Sequence, residues 1–210
     1  MTLAEAKAAD LSHFVESGRY LTEIYSAAWG HVDSHPQYQS ILNEWLLATI
    51  KPQDVVLEIG AGGGRWSRNF ANRVAHAFLV DGTPALEPAI RQQNDWQGFS
   101  YHVSTDGMMP FLETGSIDYC FSFDTFVHFE TPLFETYITE IGRSLKKGGL
   151  FHLHYARYWP ENESPDPRDF TYRDEPLVER LLINAGMYLT GKRQEYHSGN
   201  GSLLTEAMKR

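Results

Sequence analysis

The 210-residue chain has one cysteine, 18 basic residues against 27 acidic ones, and no apolar run long enough to cross a bilayer. A lone thiol excludes an internal disulfide, and Cys120 lies inside the apolar run 117–123, where a buried thiol acts as a small, inert core residue. A formal net charge of −9 opposes a phosphate backbone, so nucleic acid is not an expected partner, and a neutral or cationic small molecule fits better. Without a hydrophobic span there is no membrane-crossing segment to expect. The opening Met1-Thr2-Leu3-Ala4-Glu5-Ala6 has no basic stretch followed by an apolar core, so a cytoplasmic location is expected. Internal repeats and low-complexity tracts are also missing.

What is present suggests one domain, because the length supports a full core but not two sizeable ones. Residues 10–30 carry Leu11, Phe14, Val15, Leu21, Ile24 and Tyr25 at helical spacings, and a second helix over 38–50 places Ile41, Leu42, Trp45, Leu46 and Ile50 on one stripe before Pro52 stops it. From residue 54 short β-branched or aromatic runs alternate with helical segments, the pattern of stacked βαβ units and a mostly parallel sheet. Strands are expected at 55–59, 77–80, 99–103, 117–123 and 150–155, with helices at 65–74, 84–93 and 132–145. A polar, proline-rich loop follows, within 156–174, then a helix over 175–185 and two strands near 187–196 and 202–208.

The chemistry concentrates in Val55-Val56-Leu57-Glu58-Ile59-Gly60-Ala61-Gly62-Gly63-Gly64-Arg65-Trp66. A buried strand runs into a glycine turn and then a helix, so backbone can approach a nucleoside closely. A dinucleotide fingerprint would need glycine where Arg65 stands. The acid Glu58, two residues before Gly60, would repel a pyrophosphate and suits a ligand with an ammonium and a sulfonium.

This stretch resembles the first motif of class I S-adenosylmethionine-dependent methyltransferases, and the resemblance continues from Tyr38 to Arg210. It implies a doubly wound, Rossmann-like α/β fold with a seven-stranded sheet in the order 3-2-1-4-5-7-6, the last strand antiparallel. Residues 1–50 would form an N-terminal helical lid and 51–210 the cofactor-binding core, together one methyltransferase domain over 1–210. The resemblance seats S-adenosylmethionine on Glu58, Gly60, Ala61, Gly62 and Gly64. Asp81, followed by Gly82 and 21 residues after Gly60, would bind the ribose hydroxyls. Asp106 and Gly107 would meet adenine, and Phe123 and Asp124 would close the site at the end of the fourth strand. Leu145-Lys146-Lys147-Gly148-Gly149-Leu150 would be the turn before the fifth strand.

Methyl transfer to an alcohol needs a base as well as positioning. If Thr125 to Glu130 winds as a helical turn, Asp124 and His128 share a face, so His128 is the expected base with Asp124 orienting it or the acceptor. On the fifth strand His152 and His154 share a face; His154 is a third catalytic candidate, placed to touch substrate, and His152 a satisfied core residue. His13, His76, His102 and His197 are expected to be surface or structural, whereas His31, Asp33 and His35 remain open. Magnesium or manganese is not favoured, because no unmistakable ligand cluster is written in the sequence.

Trp29, Phe126, Phe129, Tyr155, Tyr158 and Trp159 are the aromatics expected at the acceptor rim, with Trp29, Phe129, Tyr155 and Tyr158 contacting substrate. Aromatic faces suit sugars and aromatic metabolites alike. The segment 121–130 resembles methyltransferases of bacterial and viral glycan assembly, which favours O-methylation of a sugar hydroxyl and would fit association with a glycosyltransferase domain. The Asn/Asp-Pro-Pro-Tyr/Phe pattern of amino-group methylation is missing at Asp124. A non-catalytic donor-binding partner domain and a nicotinamide oxidoreductase are the readings from other classes.

Overall fold

The structure is a computed structural model that describes residues 36–93, 96–157, 171–196 and 201–210. Seven strands form one sheet in the order β3-β2-β1-β4-β5-β7-β6, as the resemblance implied. They are β1 (Val55–Ile59), β2 (His76–Asp81), β3 (Phe99–Val103), β4 (Ile117–Ser122), β5 (Leu145–Ala156), β6 (Met187–Tyr196) and β7 (Ser202–Lys209). The first five pair in parallel, and β7 runs antiparallel to both β5 and β6.

Period-two alternation divides the core between two faces. On one, Leu57, Ile59, Cys120, Phe151 and Leu153 pack beneath α3 (Thr131–Ser144) and α4 (Glu175–Asn184), whose inner stripes include Phe134, Ile138, Ile141, Val178 and Leu182. On the other, Val56, Leu79, Tyr119 and Phe121 meet Trp66, Phe70, Ile90 and the segment made of α1 (Pro36–Ser40) and its continuation Ile41–Leu47. That continuation is wound as a π-helix, so the helix expected over 38–50 changes hydrogen-bond register after one turn. The helical segment 10–30 lies outside the described residues.

Three elements differ from expectation for identifiable reasons. Instead of a helix over 65–74 the chain makes two single 3₁₀ turns, Ser67–Asn69 and Ala71–Arg73. The Asn69 side chain donates to the Arg65 and Trp66 carbonyls, which competes with continued helical bonding. The segment expected as a helix over 84–93 opens as a 3₁₀ turn, Pro84–Leu86, and only then becomes α2 (Glu87–Gln93). The third is the Lys-Lys-Gly-Gly stretch, which is not a turn before β5 but an irregularity within it. Ile117 pairs with Leu145 and Tyr119 with Leu150, so the extra β5 residues bulge, and Gly148 takes the positive φ of 77° that the bulge requires.

Candidate functional site

Parallel strands present their carboxyl ends together, and the loops after β1, β2, β3 and β4 converge there. The turn after β1 hangs on the end of β2, since the Gly60 and Ala61 N–H groups both donate to the Val80 carbonyl, at 2.8 and 3.2 Å. Gly60 has φ 77°, and a Cβ added there would stand 1.8 Å from the Thr125 hydroxyl. Only glycine lets the β1 and β4 loops touch in this way.

Glu58 faces the Tyr119 and Trp66 side of the sheet and is 1% exposed. Among the described residues neither of its carboxylate oxygens has a hydrogen-bond partner. Burial pushes its carboxyl up to about 8; the nearby Ser67 hydroxyl lowers it, Asp81 adds to the rise, and Arg65 pulls it back in small part. A buried carboxyl with nothing to satisfy it is costly, and its natural remedy is a cationic ligand.

Asp81 ends β2 and accepts the Gly62 N–H at 2.9 Å and the Gly82 N–H at 2.8 Å. Burial raises its carboxyl, and these backbone donors partly offset the rise. Each oxygen keeps a lone pair for a further donor such as a ribose hydroxyl. Beyond β3, the exposed Asp106 accepts the Met108 N–H at 3.0 Å, while Gly107 is buried with φ 82°. Asp81 and Asp106 are both close enough to act electrostatically on the Tyr137 hydroxyl.

After β4, Phe123 is buried and stacks on the His154 ring at 4.1 Å, with Trp66 against it at 5.2 Å. Asp124 is the one described non-glycine residue with positive φ, 57°, an unfavourable conformation that favours a functional reading of this turn. Its backbone N–H donates to His154 Nδ1 at 3.1 Å, and a carboxylate oxygen lies 3.3 Å from the same nitrogen. His154 is fully buried, and burial, with help from His128, depresses its imidazole to about 3. The ring is therefore neutral, and Nδ1 acts as the acceptor. Short distance notwithstanding, the Asp124–His154 contact is not an ion pair. Burial raises the Asp124 carboxyl to about 6, although Arg65, 3.9 Å away, works against the rise.

Thr125 to Glu130 does not wind as the helical turn that the expected Asp124–His128 face assumed, although His128 is close enough to act electrostatically on His154. Asp124 precedes the turn in a left-handed conformation, the His128 N–H closes a short turn onto the Thr125 carbonyl at 3.1 Å, and His128 is exposed. A histidine from β5, His154, meets Asp124 directly. His152, as expected, is satisfied in the core, with Tyr119 at 2.7 Å and Glu206 at 2.8 Å. His76 bonds Ser100 at 2.9 Å and His102 stacks on Phe111 at 3.7 Å, both structural roles.

Among the described residues, two of the aromatics expected at the rim are buried in the core. Tyr155 alternates to the face opposite His154 and is buried beside α4, and Phe126 is wholly buried in the same core. Phe129 is half-buried and stacks on Tyr137 at 5.1 Å. Trp29, Tyr158 and Trp159, with Tyr25, His13, His31, Asp33, His35 and His197, lie outside the described residues. Among the described residues no group of three or more His, Cys, Asp or Glu side chains could hold a metal ion, and no helix is long and apolar enough to cross a membrane.

Three contributors escaped sequence reasoning. Arg173, a buried residue, donates to the Phe129, Thr171 and Phe126 carbonyls and lies over the Phe134 ring at 4.2 Å. Burial lowers its guanidinium to about 10, against the pull of Glu130. It pins the turn that carries His128. Tyr38 sets its ring edge-on to Trp66 at 5.8 Å and to Phe123 at 6.1 Å, which brings the N-terminal segment over the glycine turn. Arg65 stands under Tyr38 and beside Asp124; its only signal in the sequence is its place immediately after Gly64.

A family model described as a methyltransferase domain matches residues 56–149, the stretch from the glycine turn to the β5 bulge. No curated protein matches the chain. Among solved structures, a chain from the complex of the Haloferax volcanii Trm112 methyltransferase activator with a methyltransferase is similar, at 19% identity, 93% coverage of this chain, 96% of that one and a TM-score of 0.69. An S-adenosylmethionine-dependent methyltransferase from Mesorhizobium loti has 14% identity, 85% and 100% coverage and a TM-score of 0.67. One from Aquifex aeolicus has 17% identity, 84% and 94% coverage and a TM-score of 0.63. These likenesses show the fold. The stretch 56–149, which carries the glycine turn and the acids around it, is thus similar to a methyltransferase domain on a sheet of matching fold.

Proposed function

We propose that the chain methylates a hydroxyl of a small molecule, a sugar or glycan before an aromatic metabolite. The observation that carries the hydroxyl reading is the Asp124–His154 pair, set beside the glycine turn at the carboxyl ends of β4 and β5. The donor fits the residues present: Glu58 is a buried carboxyl that lacks a partner among the described residues, and Gly60 leaves no Cβ in the way. Glu58 would hold its ammonium, the backbone at Gly60, Ala61, Gly62 and Gly64 its body, Asp81 and Gly82 the ribose, and Asp106 with Gly107 the adenine. Phe123 and Asp124 would border the methyl group. When bound, S-adenosylmethionine supplies an electrophilic methyl carbon.

The protein's part is to aim the acceptor oxygen and remove its proton. Asp124, with a carboxyl near 6 and a side chain 24% exposed, is ionised at neutral pH, reaches solvent and takes the proton. Neutral His154 fixes its backbone, and Arg65 its carboxylate. The second reading, His128 as base, is favoured by its exposure on the same turn. The half-buried Phe129 supports a ring-shaped acceptor, and Tyr38 supports residues 1–50 as a lid over one domain spanning 1–210. Trp29, Tyr155 and Tyr158 were the other expected contacts; the buried Tyr155 acts through packing. A glycosyltransferase neighbour fits a glycan acceptor, while the activator in the Haloferax volcanii complex raises a protein partner as a further arrangement.

The test is incubation with S-adenosylmethionine and a panel of sugars, glycans and phenols, read by mass spectrometry. A hexose or glycan product heavier by one methyl supports the reading. Methylation of phenols alone removes the sugar, methylation of amines alone removes the hydroxyl, and donor binding without turnover leaves a non-catalytic donor-binding domain.

A further inference from the structure

We propose that Tyr137 is a positioning residue that ties the acceptor turn to the adenine loop, so that seating the donor orders the turn. The proposal rests on the donor site described above and gives a role to a side chain that no motif specifies. Tyr137 lies on the buried face of α3, is 2% exposed, and touches both regions at once. Its hydroxyl donates to the Ser104 carbonyl at 2.8 Å, where the chain leaves β3 for Asp106 and Gly107. Its ring stacks on Phe129 with centroids 5.1 Å apart and planes 11° from parallel, and it meets Phe126 edge-on at 5.8 Å.

On the loop side the ties run back to the ribose acid. The Ser104 N–H donates to the Asp81 carbonyl at 2.9 Å and the Ser104 hydroxyl to the Met108 carbonyl at 3.0 Å. Gly107 packs against α3 so closely that a Cβ added there would stand 3.1 Å from Thr136 and 3.2 Å from Tyr137. Glu140 and Arg143 hold the far end of the loop through the Met109 N–H and carbonyl, at 3.1 and 3.0 Å. On the turn side the local bonds are weaker, with the Phe129 N–H reaching the Phe126 carbonyl only at 3.4 Å. Arg173 holds the carbonyls of this turn, and Tyr137 holds its Phe129 ring. A buried phenol has no water to turn to, and a close-packed interior passes on small displacements. A shift of the Ser104 carbonyl therefore moves the Tyr137 ring against Phe129. Burial pushes the phenol up to about 12, which keeps it a donor at neutral pH.

Hydrogen exchange at the His128 and Phe129 amides, with adenosine and S-adenosylhomocysteine as probes, tests this coupling without an acceptor. Adenosine keeps the adenine and ribose but lacks the amino-acid end assigned to Glu58 and Gly60, and the close approach of Gly60 to Thr125 is the other route from donor to turn. In the wild-type protein, saturation with either nucleoside is expected to slow exchange at these amides about tenfold, the worth of about one hydrogen bond. In Tyr137→Phe, which keeps the ring and loses only the hydroxyl, the slowing falls to within about twofold, while calorimetry still records nucleoside uptake and the amides of residues 60–64 are still protected by S-adenosylhomocysteine. A merely structural role would speed exchange equally in the free and bound variant and leave the ratio between them as in wild type, which overturns the proposal. So does a wild-type turn that exchanges at one rate with and without nucleoside, a result that needs no variant. Slowing by S-adenosylhomocysteine but not by saturating adenosine assigns the signal to the Gly60–Thr125 contact and also overturns it. Uptake of neither nucleoside is a separate failure, that of the donor site itself, and takes the proposal with it.

Discussion

Replacing Glu58 by Gln keeps the shape of the side chain and removes its titration, which makes the buried carboxyl testable in two independent ways. Its folded-state value of about 8 lies above the ordinary 4.5. The protonated form is thus favoured by folding: its contribution is fully present below pH 4.5 and is lost as pH rises through 8. A shift of that size corresponds to up to about 5 kcal/mol, at about 1.4 kcal/mol per pH unit. In urea denaturation from pH 5 to 9, the stability of Glu58→Gln relative to wild type should climb steadily and level off above pH 8. Ligand binding gives the second measure. Glu58 must ionise to hold an ammonium, so donor binding at pH 7 should release close to one proton, read as heats in buffers of different ionisation enthalpy. Glu58→Gln should release none and bind at least about tenfold more weakly, since a hydrogen bond to a charged group is lost. Parallel stability curves, with the same proton release in both proteins, would refute the reasoning.

Gly60→Ala should cost about 1–3 kcal/mol for its left-handed backbone alone, with more from the collision with Thr125, measured as a lower urea midpoint. Asp124→Asn should reduce turnover about 100-fold or more, and wild-type turnover should rise with pH to a plateau above about 6, as the raised carboxyl ionises. His128→Ala should lose less than about tenfold, and the reverse order of these two variants would make His128 the base. Arg173→Met should strand three carbonyl acceptors at a cost of about 3 kcal/mol in urea denaturation, and should raise the acceptor KM by loosening the His128 turn. Turnover should survive exhaustive chelation; loss restored by magnesium or manganese would show a metal requirement.

The sheet was legible because its signals are local. Runs such as Val56-Leu57 and Tyr119-Cys120-Phe121 are buried on both faces and read as continuous apolar strands, and their order follows from the resemblance that the glycine turn carries. Glu58, Asp81 and Asp106 could be placed because each follows or closes a strand at its carboxyl end. What stayed hidden depends on contacts distant in sequence or on conformations that sequence does not encode. His154 meets Asp124 across 30 residues, and the left-handed φ of Asp124 breaks the helical spacing that pointed to His128. Tyr155 was misplaced by one step of strand alternation, which sends it beneath α4 while its neighbour His154 faces the site. Arg173 follows a proline-rich sequence and has no motif of its own, and its value appears only when three carbonyls close around it.

Titration calorimetry with S-adenosylhomocysteine tests the donor site without knowledge of the acceptor. One site per chain is predicted, with affinity that weakens when Glu58 or Asp81 is made neutral. No heat and no saturable uptake of either the donor or its demethylated product by the folded protein would contradict it.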